Sequence, residues 1–230
     1  MSAGPASTIP HRIVPLALAA ALLLLGVPQL AQSVMRLSAQ SGPAAVTVYG
    51  EGELLSTIPG DPDALEQVDA DFGDPEARIR AGIKRFYRAF PDTGGGPDAA
   101  ELTHAIADLR AGLARAPANA VAWTILGRAA LFAGDADQAL RAFRASIRFA
   151  RYEPGAAMMR LDLAFRLWSS LDEGDRLAVK QQVLSTWRDR PEQLVTYSRR
   201  AGFQQLVMAL LADDQAQLVR FLDYFARLPD

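Results

Sequence analysis

The stretch 120–151, AVAWTILGRAALFAGDADQALRAFRASIRFAR, decides how the chain is read. Gly134 and Asp135 divide it into two segments, each with helix-forming residues and apolar positions recurring at three- and four-residue spacing. The pattern predicts a pair of helices joined by a short turn. The segments on either side make sense as further pairs stacked against it, or as its tether.

Composition agrees with an all-α fold. Half of the 230 residues are hydrophobic; Ala, Leu and Arg are abundant, while Val and Ile are comparatively scarce. The formal net charge of -2 gives no overall electrostatic case for a nucleic-acid partner, and none is expected. Cys is absent, which excludes disulfides, thiolate metal sites and cysteine nucleophiles. With only His11 and His104, histidine zinc sites and Ser-His-Asp triads are poorly supplied, so neither a metal nor a cofactor is expected. His104 stands alone in its segment and reads as a surface or packing residue.

Residues 13–30, IVPLALAAALLLLGVPQL, carry no charge. Their length is near the lower limit for a membrane-spanning helix and exceeds the apolar core of most signal peptides. The expectation is a tail over 1–12 and a single-pass anchor over 13–34. A cleaved signal is the alternative, since Arg12 precedes the run, but PQLAQSVMRLSAQ offers no clean small-x-small cleavage site. Arg12 and the amino terminus lie before the run and Arg36 just after it, with the next basic residue at Arg78. That distribution leans toward a cytoplasmic N-terminus, a bacterial inner-membrane location and a periplasmic soluble domain.

Residues 35–75 read as an acidic linker. Gly42-Pro43, Pro59-Gly60-Asp61-Pro62 and Gly73-Asp74-Pro75 are turn punctuation, and Val46 to Tyr49 suits one short strand. From Glu51 to Asp74 the acidic residues accumulate without a basic neighbour, which predicts a solvated tether extended by self-repulsion. Asp69, Asp71 and Asp74 do not make a calcium loop, because Gly73 and Arg80 stand where the fifth and twelfth ligands are required.

The rest, 76–230, is expected to hold nine helices. Ile79, Ile83, Phe86 and Phe90 give one apolar face; Leu102, Ile106, Leu109 and Leu113 give the next. A glycine-rich connection at 94–96 separates them. It is not a phosphate loop, since no Gly-Lys-Ser/Thr follows. Helices over 156–170 and 172–189 follow the central pair, and three shorter segments, 192–200, 203–212 and 215–228, suit a closing cap.

Within the central stretch, Trp123, Leu126 and Gly127, followed by Ala139 and Phe143, fall at the spacing of the tetratricopeptide repeat. The chain resembles a membrane-anchored member of that family. Ala130 replaces the usual aromatic and Ser146 a small Ala, while Ala105, Leu109 and Pro117 fit the second helix of a preceding unit. The resemblance implies that Trp123, Leu126, Gly127, Ala139 and Phe143 are structural, and that first helices line a groove for a protein partner. By position, Val121, Thr124, Arg128, Leu131 and Phe132 would face that groove. Phe132 either anchors a partner or packs against a neighbouring helix pair of the same chain. Arg141, Arg144, Arg148 and Arg151 form one stripe on a second helix: a solvated face answered by the chain's own acidic tether, or a contact for an anionic lipid or glycan.

The functional expectation is a non-catalytic scaffold in envelope assembly. The anchor-plus-repeat layout resembles accessory proteins of polysaccharide synthesis or export. The alternatives are a binder of an anionic polymer through the arginine stripe, and a hydrolase with an unrecognised site. No nucleophile–base pair or metal cluster supports an enzyme.

Overall fold

The computed structural model describes residues 46–48, 56–58, 61–90 and 96–228; the expected tail and anchor over 1–34 lie outside them. β1 (Val46–Val48) and β2 (Ser56–Ile58) form one antiparallel ladder, with Val46 opposite Ile58. The remaining described chain is helical. Its ten helices are α1 (Pro62–Phe72), α2 (Pro75–Arg88), α3 (Ala99–Arg115), α4 (Ala120–Phe132), α5 (Ala136–Phe149), α6 (Ala157–Arg166), α7 (Glu173–Asp189), α8 (Pro191–Arg200), α9 (Gln204–Leu211) and α10 (Gln215–Arg227). The nine helices expected after residue 75 are present, and α1 precedes them. Among the described residues no helix is long and apolar enough to cross a membrane.

Local chemistry sets most helix starts. The side chains of Asp61, Asp74, Asp98, Asn119, Asp135, Asp172 and Asp214 each accept a backbone N–H of the first turn. Asp172 and Asp175 form a reciprocal capping box. Many of the chain's acidic residues are therefore helix caps.

The linker expected over 35–75 requires correction. Its last part is α1, which begins on a proline and ends on Gly73 in the left-handed conformation (φ 65°). Pro62, Leu65 and Val68 are buried against Ala77 and Ala81 of α2. Self-repulsion does not extend this segment, because arginines distant in sequence neutralise it. Asp63 and Glu66 meet Arg85, Glu66 meets Arg78, and Asp69 meets Arg115.

Consecutive helices contact one another, and the contacts of α2 with α3 and of α4 with α5 run in opposite chain directions. In the α2–α3 pair, a Cβ on Gly82 would lie 2.8 Å from the Leu109 side chain. One on Gly112 would lie 2.6 Å from that of Ile79. Small residues on both partners thus allow a close approach of the two helices. In the α4–α5 pair Trp123 stacks on Phe149 at 6.2 Å, and Thr124 meets Ser146 near one end while Gly127 meets Ala139 near the other. In the third pair Arg160 of α6 reaches Gln182 of α7. Beside the small α1–α2 cluster, two larger cores result. One joins Ile79, Phe86 and Leu109 to Ile125 and Leu126; the other joins Phe143, Leu161 and Leu163 to Val183, Trp187, Leu194 and Phe221.

Candidate functional site

The three helices α2, α4 and α6 touch in succession and build one face. Phe90, just past the end of α2, meets Phe132 of α4 edge-on at 4.8 Å, and Phe86 of α2 lies 6.4 Å from the same ring. The Arg128 guanidinium sits 5.6 Å from the Phe86 ring centroid and 3.5 Å from a carboxylate oxygen of Asp162 on α6. Asp162 also accepts from Arg166 Nε at 2.7 Å and from the buried Tyr197 hydroxyl of α8 at 2.8 Å. Tyr87 donates to Met159 Sδ at 3.5 Å, and burial pushes its phenol up to about 12 against the pull of Arg128, so it stays a neutral donor.

Of the five residues assigned to a groove by position, the structure leaves one substantially in solvent. Phe132 is 39% exposed. Arg128 is committed to Phe86 and Asp162, and its side chain is only 15% exposed. Val121 and Leu131 are half-buried beside the first and second cores respectively. Thr124 is a correction. It is fully buried, because its position on α4 points at α5, and its hydroxyl lies 2.9 Å from Ala120 O and 2.7 Å from Ser146 Oγ. Phe132 packs on α2 of its own chain while keeping an exposed edge, so both of its expected roles bear on one ring. Leu126, Gly127, Ala139 and Phe143 are buried, and Trp123 donates its indole N–H to Pro117 O at 2.8 Å.

The arginine stripe is exposed along α5, yet it is not one electrostatic unit. Arg144 is engaged by Asp175 and Asp172, with the shortest contacts at 2.7 Å, and these bonds hold its guanidinium charged. The acidic partners come from the start of α7 rather than from the tether. Arg141 instead lines a cleft with Arg110 of α3. Arg148 and Arg151 lie toward the far end, where the Arg151 carbonyl accepts from Arg160.

Two buried charge clusters escaped the sequence reading. Asp108, 1% exposed, accepts from Arg85 at 2.9 Å and lies 2.8 Å from Arg78 Nε. Burial raises its pKa, and the two arginines oppose that rise. For Arg85, burial works against the charge, but Asp108, Asp63 and Glu66 outweigh it and hold the group charged. Arg160, 1% exposed, has no carboxylate partner among the described residues. It donates to Ser146 Oγ (3.0 Å), Ser146 O (3.2 Å), Gln182 Oε1 (2.9 Å) and Arg151 O (3.3 Å). Its burial pulls the pKa down to about 10, against a weaker upward pull from Glu153. The carbonyl-rich end of α5 is the negative pole of that helix, which accounts for a buried cation with neutral ligands. Ser146, the departure from the usual small Ala, supplies two of those four contacts.

These clusters join helices rather than line an open site. Among the described residues, no group of three or more His, Cys, Asp or Glu is placed to hold a metal ion. Comparison with protein-family models, curated proteins and solved structures finds no match.

Proposed function

We propose that this chain is a membrane-anchored, non-catalytic scaffold built of tetratricopeptide-like helix pairs. In this reading the 13–34 segment is the anchor of a bacterial inner-membrane protein, and the helical domain works on the periplasmic side in envelope assembly. The first helices of successive pairs, α2, α4 and α6, present a continuous face to a protein partner. The observation that carries the reading is the exposed edge of Phe132. It is an aromatic ring held in a fixed position by Phe90 and Phe86, the kind of rigid anchor around which protein interfaces concentrate their binding energy. Arg128 serves by fixing α4 against α6, so Phe132 and Phe90 carry the contact.

The test is site-specific photo-crosslinking in membranes with the full chain, placing the crosslinker at position 132 and, as control, at 148. Discrete heterologous adducts at 132 that are absent at 148 and are lost on Phe90→Ser are expected. Adducts of identical pattern at both positions would remove this face from the account. Reporter fusions after Arg36 and at the C-terminus test the topology, and a cytoplasmic signal from either refutes the periplasmic assignment.

A further inference from the structure

A cleft of about 490 Å³ opens between α3 and α5. Its walls are Arg110 of α3 and Asp135, Gln138 and Arg141 of α5, and Trp123 of α4 contributes to the floor. The volume falls within the range of roughly 300–1,000 Å³ typical of small-molecule clefts. Most arginines with a structural role here are answered by carboxylates, as Arg78, Arg85, Arg115, Arg128 and Arg144 are. Arg110 and Arg141 are different: both are exposed, and neither makes a hydrogen bond or ion pair among the described residues. Two unanswered guanidiniums and one carboxylate, that of Asp135, leave the cleft lining net positive, and each guanidinium offers a planar fork that suits a carboxylate.

The other groups narrow the ligand. Trp123 has already given its indole N–H to Pro117 O, so it offers only apolar ring surface to the cleft. Asp135 uses Oδ1 to cap α5, accepting from Gln138 N at 2.8 Å, which leaves Oδ2 as an acceptor. The Gln138 amide supplies both a donor and an acceptor. A bare inorganic anion would use the arginines and ignore the indole. An acidic peptide would satisfy the arginines, and its N–H groups could meet Asp135, but a run of Asp and Glu presents no ring face to Trp123. A sugar ring bearing a carboxylate uses all of them: charge to Arg110 and Arg141, apolar ring face to Trp123, hydroxyls to Asp135 and Gln138.

We infer that this cleft binds an acidic sugar unit of a glycan. It shares no residue with the Phe132 face, and its test is independent of the scaffold reading. The full chain in detergent is titrated calorimetrically with galacturonic-acid trimer, with a neutral maltotriose and with a glutamate tripeptide. Saturable binding of the uronate alone is expected, weakening as salt is raised. Removing one charge-assisted pair costs about tenfold, so Arg110→Gln with Arg141→Gln should weaken binding about a hundredfold. Arg144→Gln, whose cation is already neutralised by Asp172 and Asp175, should leave it unchanged. Because Arg110 and Arg141 have no partners to lose, the double variant keeps its fold. Absence of saturable uronate binding, equal affinity for the tripeptide, or an equal loss in Arg144→Gln overturns the assignment.

Discussion

Arg160→Ala is the most demanding test of how the helix pairs hold together. The wild-type guanidinium is 1% exposed and bridges the end of α5 to Gln182 of α7 from its place on α6. Burial lowers its pKa to about 10, so holding the charge inside is costly. Its hydrogen bonds to four acceptors offset that cost. Truncation to Ala leaves a cavity and strands the Gln182 carbonyl, which is only 4% exposed, so a loss of about 3–5 kcal/mol is expected. Arg160→Met fills most of the volume and removes the buried charge while still leaving Gln182 unsatisfied. Its cost should be about 1–2 kcal/mol. Adding Gln182→Leu to the Met variant removes that last orphan and should recover part of the loss, a positive coupling in a double-mutant cycle. Urea denaturation of the full chain, followed by far-UV circular dichroism, gives the three values. A loss below about 1 kcal/mol for Arg160→Ala, or Met costing as much as Ala, would refute the claim that a charge held by neutral acceptors joins α5, α6 and α7.

Gly127→Ala places a Cβ 2.5 Å from Leu163 Cδ2 and 3.3 Å from Ala139 O, so overpacking should lower stability by about 1–3 kcal/mol, read by the same denaturation. Asp108→Ala leaves Arg78 and Arg85 without their buried carboxylate and should cost about 3–5 kcal/mol; hydrogen exchange should show protection lost in α1 and α2 before α9 and α10. The Asp172 carboxyl is held below its ordinary pKa by the Asp175 backbone N–H and by Arg144. A folded pKa below the unfolded one means its stabilisation is present above about pH 4 and is lost as pH falls through the folded value. The wild type should therefore be the more stable at pH 7, and its melting temperature should converge on that of Asp172→Asn as the pH is lowered; a gap that persists or widens in acid refutes the sign.

The helices after residue 75 were legible because their starts and faces are local properties. Gly134 and Asp135 mark the turn of the central pair within a few residues, and Ile79, Ile83 and Phe86 show their face without reference to the rest of the chain. α1 was not legible for the opposite reason. Its apolar positions, Leu65 and Val68, are few, and its charges look repulsive until Arg78, Arg85 and Arg115 arrive from α2 and α3. Thr124 was misplaced because a repeat position fixes which helix a residue occupies more firmly than which way it turns. Helix phase turns Thr124 toward α5, where Ser146, in place of Ala, gives its hydroxyl a partner. Arg160 and Asp162 lie in an otherwise apolar segment, and the signal was available there. A short helix with buried residues all around it cannot keep its charges in solvent, so each must find a partner inside.

The charges also separate the two surfaces that function can use. On the α2–α4–α6 face, Arg128 and Asp162 are spent on each other, and Arg166 on Asp162. What remains there for a partner is apolar ring edge, so recognition on that face should depend on shape and tolerate salt. Between α3 and α5 the balance is reversed. The apolar floor is shallow, and Arg110 and Arg141 retain their full donor capacity, so recognition there should weaken as salt is raised. On the two proposed readings, a chain with a net charge of only -2 offers one surface whose binding tolerates salt and one whose binding weakens with it. The difference arises from which arginines found carboxylates during folding, and not from overall composition.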